Sequence, residues 1–131
     1  MDYRKHRADE SIEDYLETIL FLHKKNGQVR SIDIATEMNF TKASVSVAMK
    51  NLREKGYITM ADNGYITLTP SGQSRAEDVL DRHTILSQWL MSLGVSEEIA
   101  LVDACRVEHD LSPESFEAIK MFLKKKCWRK F

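Results

Sequence analysis

One stretch limits what this chain can fold into more than any other. Residues 57–70 read YITMADNGYITLTP, two short runs rich in Tyr, Ile and Thr on either side of Asn63-Gly64, in a sequence otherwise patterned for helices. Tyr, Ile and Thr suit a pleated, half-buried surface, and Asn-Gly is a favoured turn pair for a tight hairpin. A two-stranded hairpin cannot hold itself together in water, so the elements before it must supply the core it packs on. Ile12, Tyr15, Leu16, Ile19 and Leu20 recur at helical spacing from Asp9 to about Lys25, with Phe21 and Leu22 flanking, and Gly27 stops the pattern. SIDIATEM follows as a short helix expected to be capped by Ser31, with Ile32, Ala35 and Met38 on one face and a turn at Asn39-Phe40. Thr41 is the expected cap of a third helix running to Gly56, with Val45, Ala48, Met49 and Leu52 inward. Three helices and a hairpin form the winged helix-turn-helix pattern.

The remainder is helical. Thr69 and Pro70 open a long helix that Gly94 ends, Ser96 caps another running to Asp110, and Ser112-Pro113 starts the last. The expected fold is therefore mainly α: a winged helix-turn-helix over residues 1–70, then an all-helical domain over residues 71–131.

A helix-turn-helix places its second helix in the major groove. Here the outward set is Lys42, Ala43, Ser44, Ser46, Val47 and Lys50, with Thr41 at the helix start. Hydroxyls and lysines suit phosphates and base edges, while Ala43 and Val47 suit thymine methyls. The chain's net charge of -1 does not argue against DNA, because charge is local. Thr41 to Gly56 holds Lys42, Lys50, Arg53 and Lys55 against Glu54 alone, and Lys120 to Phe131 holds six basic residues and no acidic one. No apolar run approaches the roughly 18 to 20 residues that cross a bilayer, and the first ten residues are polar where an export signal turns apolar. A cytoplasmic location with no membrane partner is the expectation, and Cys105 and Cys127 are then expected as free thiols.

The stretch DACRVEHDLS, residues 103–112, concentrates the chemistry. Positions i, i+3 and i+4 share a helix face, so Cys105, Glu108 and His109 converge while Arg106 and Val107 point elsewhere. Thiolate, carboxylate and imidazole suit a divalent transition metal. Asp14 and Glu17, at i and i+3 beside the stripe of the first helix, and His83, midway along the long helix, are placed to join them. A cysteine nucleophile activated by His109 is the competing reading. It lacks an orienting third group and an evident oxyanion hole, and Cys105 sits mid-helix rather than at an N-terminus where a thiolate is stabilised. A structural zinc finger would need paired Cys or His motifs that the chain does not have. No enzymatic activity is expected.

SIEDYLETIL, DIATEMNFTKASVSVAMKNLREKGYI, LTPSGQSRAEDVLDRHTIL and above all ACRVEHDLS, in this order, resemble the diphtheria toxin repressor and manganese transport regulator family over nearly the whole chain. The resemblance implies a homodimeric, metal-activated regulator binding double-stranded operator DNA, a repressor of metal-uptake genes. It places metal ligands at Asp14, Glu17, His83, Glu108 and His109. The sixth, a glutamate in the manganese branch, falls on Cys105, the choice of the iron branch, whose members carry methionine at the position of Asp14. The chain is thus a hybrid, and Mn²⁺ or Fe²⁺ is the expected metal, with Zn²⁺, Co²⁺ or Ni²⁺ as substitutes. Leu101 and Ser87 occupy positions where the iron branch has ancillary-site ligands, so no ancillary site of that form is implied. Val47 replaces a base-contacting glutamine, and the chain ends at Phe131 without room for the iron branch's SH3-like domain. The alternative is a winged-helix regulator that senses a small organic ligand or has no metal dependence.

Overall fold

The computed structural model describes residues 3–125, and the side chains of residues 11–125. Cys127 and the basic end beyond Lys125 lie outside the described residues. In chain order the elements are α1 (Tyr3–Asn26), α2 (Ser31–Met38), α3 (Lys42–Glu54), β1 (Ile58–Met60), β2 (Ile66–Leu68), α4 (Pro70–Ser92), α5 (Glu97–Asp110) and α6 (Pro113–Lys125). They form two compact units, Met1–Asp78 and Val79–Phe131, whose boundary falls within α4.

The first unit is a winged helix-turn-helix. Its core joins Leu16, Ile19 and Leu20 of α1, Ile34 of α2, Val45, Met49 and Leu52 of α3, Ile58 and Ile66 of the hairpin and Ala76 of α4. Each fully buried Leu, Ile or Met contributes about 1.5–3 kcal/mol relative to exposure, which is what holds strands of only three residues in place.

Three details depart from the sequence reading. α1 starts at Tyr3 rather than Asp9, since nothing in YRKHRA breaks a helix. Ser31 is the first residue of α2 rather than its cap: Arg30 stands at the cap position, and the Asp33 carboxylate turns back to accept the Arg30 N–H at 2.9 Å. On α2 the buried residues are Ile34 and Ala35, and Ile32 is exposed, because a helix of two turns fits one side against α1 and α3 and Ile34 is the better centred. Asn39 then takes a left-handed conformation, φ 57°, at the tight corner between α2 and α3.

β1 and β2 pair antiparallel with Ile58 opposite Leu68 and Met60 opposite Ile66. Gly64 donates to the Ala61 carbonyl at 2.8 Å and Ala61 donates to the Tyr65 carbonyl at 2.9 Å. Only Gly64 has positive φ in this turn, so it is a three-residue loop closed by a glycine bulge rather than a two-residue Asn-Gly turn, which needs positive φ at both residues. The Ile66 N–H points away from β1 and donates to the Val29 carbonyl at 2.7 Å. Thr69 caps α4, its hydroxyl accepting from Gly72 N–H at 3.1 Å. Gly72 is there because a Cβ would sit 2.0 Å from the Tyr57 carbonyl oxygen.

The second unit packs the remainder of α4, α5 and α6 around Ile85, Leu86, Ala104, Phe116 and Leu123, with Trp89, Leu111 and Ile119 at the edge. Ser96 caps α5 and Ser112 caps α6, as their sequence positions suggest. No helix among the described residues is long and apolar enough to cross a membrane.

Candidate metal centre and nucleic-acid interface

With its start set by Ser96, α5 turns Ala100, Ala104 and Glu108 onto one buried stripe. Two of these are small and apolar; the third is a carboxylate with 0% exposure. Burying a carboxylate costs several kcal/mol in effective terms unless something of opposite charge or strong polarity meets it. What meets Glu108 inside its own unit is a pair of imidazoles. Oε2 lies 3.8 Å from Nδ1 of His83 on α4, and Oε1 lies 3.6 Å from Nε2 of His109. The His109 side chain is only 2% exposed. Both separations exceed an ordinary hydrogen bond. They are close to the roughly 3 to 3.6 Å that separates two donors bound side by side to one ion with bonds near 2.1 Å. Cys105 is half-buried one turn before His109, and Arg106 and Val107 are exposed, as the helical spacing requires. His83, Glu108 and His109 thus form a group within the second unit, with Cys105 alongside on the same helix.

Asp14 and Glu17 belong to the first unit. They are half-buried on α1, flanking its core residues Tyr15 and Leu16, and the Thr18 hydroxyl donates to the Asp14 carbonyl at 2.8 Å. Burial pushes the pKa of the Tyr15 hydroxyl up, and its ring meets Phe40 edge-on at 6.0 Å. Glu13 is tied to α4: Arg75 donates to the Tyr57 hydroxyl at 2.7 Å and to Glu13 at 3.4 Å. Burial works against the Arg75 charge, but the Tyr57 hydroxyl and the Glu13 carboxylate outweigh it and raise its pKa above the usual value. Ser87, buried, donates to the Thr84 carbonyl at 3.1 Å, and Leu101 is exposed.

The outward face of α3 is as the sequence suggests. Thr41, Lys42, Ala43, Ser44, Ser46, Val47 and Lys50 are all exposed, and Val47, at 71%, is the most exposed large apolar side chain among the described residues. Thr41 accepts the Ser44 N–H at 3.1 Å, and its hydroxyl donates to the Ser44 hydroxyl at 2.9 Å, so the helix start is ordered before any partner arrives. Sequence reasoning passed over Arg30, whose guanidinium lies 4.4 Å from the Tyr65 ring centroid, joining the start of α2 to the hairpin. It also passed over Arg82, whose only sequence signal is its place next to His83.

Residues 9–68 match the family model described as "Iron dependent repressor, N-terminal DNA binding domain", and residues 69–126 match "Iron dependent repressor, metal binding and dimerisation domain". The chain belongs to the iron-dependent repressor family. This is a family of metal-dependent transcriptional regulators, to which the manganese regulators also belong. Among relatives, the chain is 36% identical over 118 residues to the HTH-type transcriptional regulator MJ0568 of Methanocaldococcus jannaschii, covering 88% of this chain and 94% of that one. It is 34% identical over 122 residues to the transcriptional regulator MntR of Escherichia coli O6:H1, covering 93% of this chain and 79% of that one. Two solved structures are similar at 25% identity over 86% of this chain: the manganese regulator SloR, with a TM-score of 0.76, and a manganese-dependent transcriptional repressor in complex with manganese, with a TM-score of 0.78. The chain spans about half the length of these two, 53% and 52%.

Proposed function

We propose that this chain is a metal-activated repressor of metal-uptake genes, acting in the cytoplasm as a homodimer on double-stranded operator DNA. Residues 1–70 read the DNA, and residues 71–131 hold the metal and the partner copy. The ligands are Asp14, Glu17, His83, Cys105, Glu108 and His109. One observation carries the metal reading: a wholly buried carboxylate, Glu108, set between the imidazoles of His83 and His109 at separations that suit an ion better than a hydrogen bond. The donor set fits a first-row divalent cation, since carboxylate and imidazole accept Mn²⁺ and Fe²⁺ while the Cys105 thiolate shifts preference toward Fe²⁺ and Zn²⁺. Co²⁺ and Ni²⁺ are acceptable substitutes on the same grounds.

When bound, the ion supplies positive charge and coordinate bonds that a cluster of acids cannot supply for itself. Asp14 and Glu17 then carry the signal, because they sit on the helix whose other face is the core of the DNA-binding unit. Without a cation their charge opposes the approach of Glu108; with one, all three are held. α3 enters the major groove through Lys42, Ala43, Ser44, Ser46, Val47 and Lys50, with Thr41 ordering its first turn. In a dimer the two α3 helices must match grooves a helical turn or a multiple apart, so holding α1 selects that spacing. Metal and DNA favour the same state, and each raises the other's affinity by the same factor, typically about 5 to 150-fold.

The test begins with DNA selected from a random pool on the Mn²⁺-loaded protein. Its affinity is then measured at fixed salt with Mn²⁺, Fe²⁺ or EDTA, beside elemental analysis and gel filtration. Affinity that EDTA leaves unchanged would overturn the proposal.

A further inference from the structure

The α5 helix ends at Asp110, and the carbonyls of its last turn have no partner within the helix. Arg82 of α4 reaches that end. Its Nη1 donates to the Glu108 carbonyl at 3.1 Å and to the Leu111 carbonyl at 3.3 Å, and its guanidinium lies 5.2 Å from the ring centroid of Phe116 on α6. One side chain thus ties α4, the end of α5 and the start of α6 together within the second unit. A cation is also well placed at the negative end of a helix.

The location matters more than the count of bonds. Arg82 is the chain neighbour of His83, and it holds the main chain of Glu108, whose carboxylate faces His83. The same two positions are therefore joined twice, through side chains across the candidate site and through Arg82 on the backbone behind it. We propose that Arg82 is the positioning residue of the metal site, fixing the Glu108 main chain against α4 so that its carboxylate faces His83 before a cation arrives. The proposal rests on the metal reading above. It adds that the part of the site in the second unit is set by a hydrogen-bonded arginine rather than assembled by the ion.

Arg82→Met keeps the apolar stem over Phe116 and removes the donors. Arg82→Lys keeps a charge at the helix end but carries it on a flexible stem, without the planar guanidinium that lies by the Phe116 ring. Lys120→Met is the matched control, because Lys120 also ties α6 to α4, but through the Asp81 carboxylate at 3.2 Å rather than through the main chain of a ligand. The measurements are Mn²⁺ affinity by calorimetry, the visible absorption of bound Co²⁺, the melting temperature without metal, and DNA binding at saturating Mn²⁺. Arg82→Met is expected to weaken Mn²⁺ about 10 to 100-fold, the usual cost of losing a group that orients a ligand. It should also alter the Co²⁺ spectrum, while DNA binding at saturating Mn²⁺ stays at the level of the unaltered chain. Arg82→Lys should fall between, and it carries the test if Arg82→Met does not fold. Lys120→Met should leave Mn²⁺ affinity unchanged. Unaltered affinity in the arginine variants, or an equal loss in Lys120→Met, would overturn the inference and leave the metal reading standing. No metal binding by the unaltered chain would overturn both.

Discussion

Replacing Glu108 with Gln should raise stability without metal and remove most of the stabilisation that metal adds. The side chain is fully buried and keeps its size, so the change is almost purely one of charge. Without metal the variant no longer bears the desolvation cost of a buried carboxylate, which is several kcal/mol. The metal-free variant should be more stable by on the order of 1–3 kcal/mol, because burying an amide costs about 1–3 kcal/mol where burying a carboxylate costs several. Mn²⁺ works against that gain, because it stabilises the unaltered chain far more than the variant. At a free metal concentration 100 times Kd, binding stabilises the unaltered protein by about 2.7 kcal/mol. For a chain of this size each kcal/mol is worth roughly 3–5 °C in Tm, so that shift is about 8–13 °C. A 100-fold loss of affinity in the variant leaves about 0.4 kcal/mol at the same concentration, a shift of about 1–2 °C. Differential scanning calorimetry of both proteins, with EDTA and with Mn²⁺, reads all four values. A variant that melts lower than the unaltered chain in EDTA yet keeps the full Mn²⁺ shift would show that Glu108 is a structural acid and not a ligand.

Gly72→Ala should destabilise the first unit by about 1–3 kcal/mol or more, since the new methyl would meet the Tyr57 carbonyl at 2.0 Å, and chemical denaturation checks it. Cys105→Glu should shift selectivity from Zn²⁺ and Fe²⁺ toward Mn²⁺ on the order of tenfold, read from competition titrations; an unchanged metal series would remove the thiol from the argument. Lys50→Ala, on the exposed face of α3, should weaken DNA binding and reduce the slope of log affinity against log salt by about 1. A loss confined to one DNA sequence would instead make Lys50 a base reader.

The parts of the fold legible in the sequence are those decided by neighbours in the chain. Thr41, Thr69, Ser96 and Ser112 cap the helices they precede because a short hydroxyl reaches an N–H two or three residues on. Val45, Met49 and Leu52 are buried because helical spacing alone puts them on one face. Where two local solutions compete, the pattern misleads. Arg30 stands at the cap position expected of Ser31, Ile34 displaces Ile32 in the core, and Asp62 joins Asn63-Gly64 in a longer turn. The grouping of Glu108 with His109 follows from spacing, but its complete burial does not, since that depends on which side of α5 the rest of the fold covers. Arg82 and Arg75 were illegible for the same reason: each joins elements far apart in sequence, and an arginine on a helix reads as solvated until its partners are placed.

The bond from Ile66 to the Val29 carbonyl has a consequence for how such a protein behaves when crowded. A two-stranded ribbon ordinarily offers two open rows of backbone groups to any other chain, and exposed strand edges are where folded proteins begin to stick to one another. Here the β2 side is met by the segment between α1 and α2, and each strand is only three residues long. The hairpin therefore offers another chain little open edge on its β2 side, and little length to pair with on either.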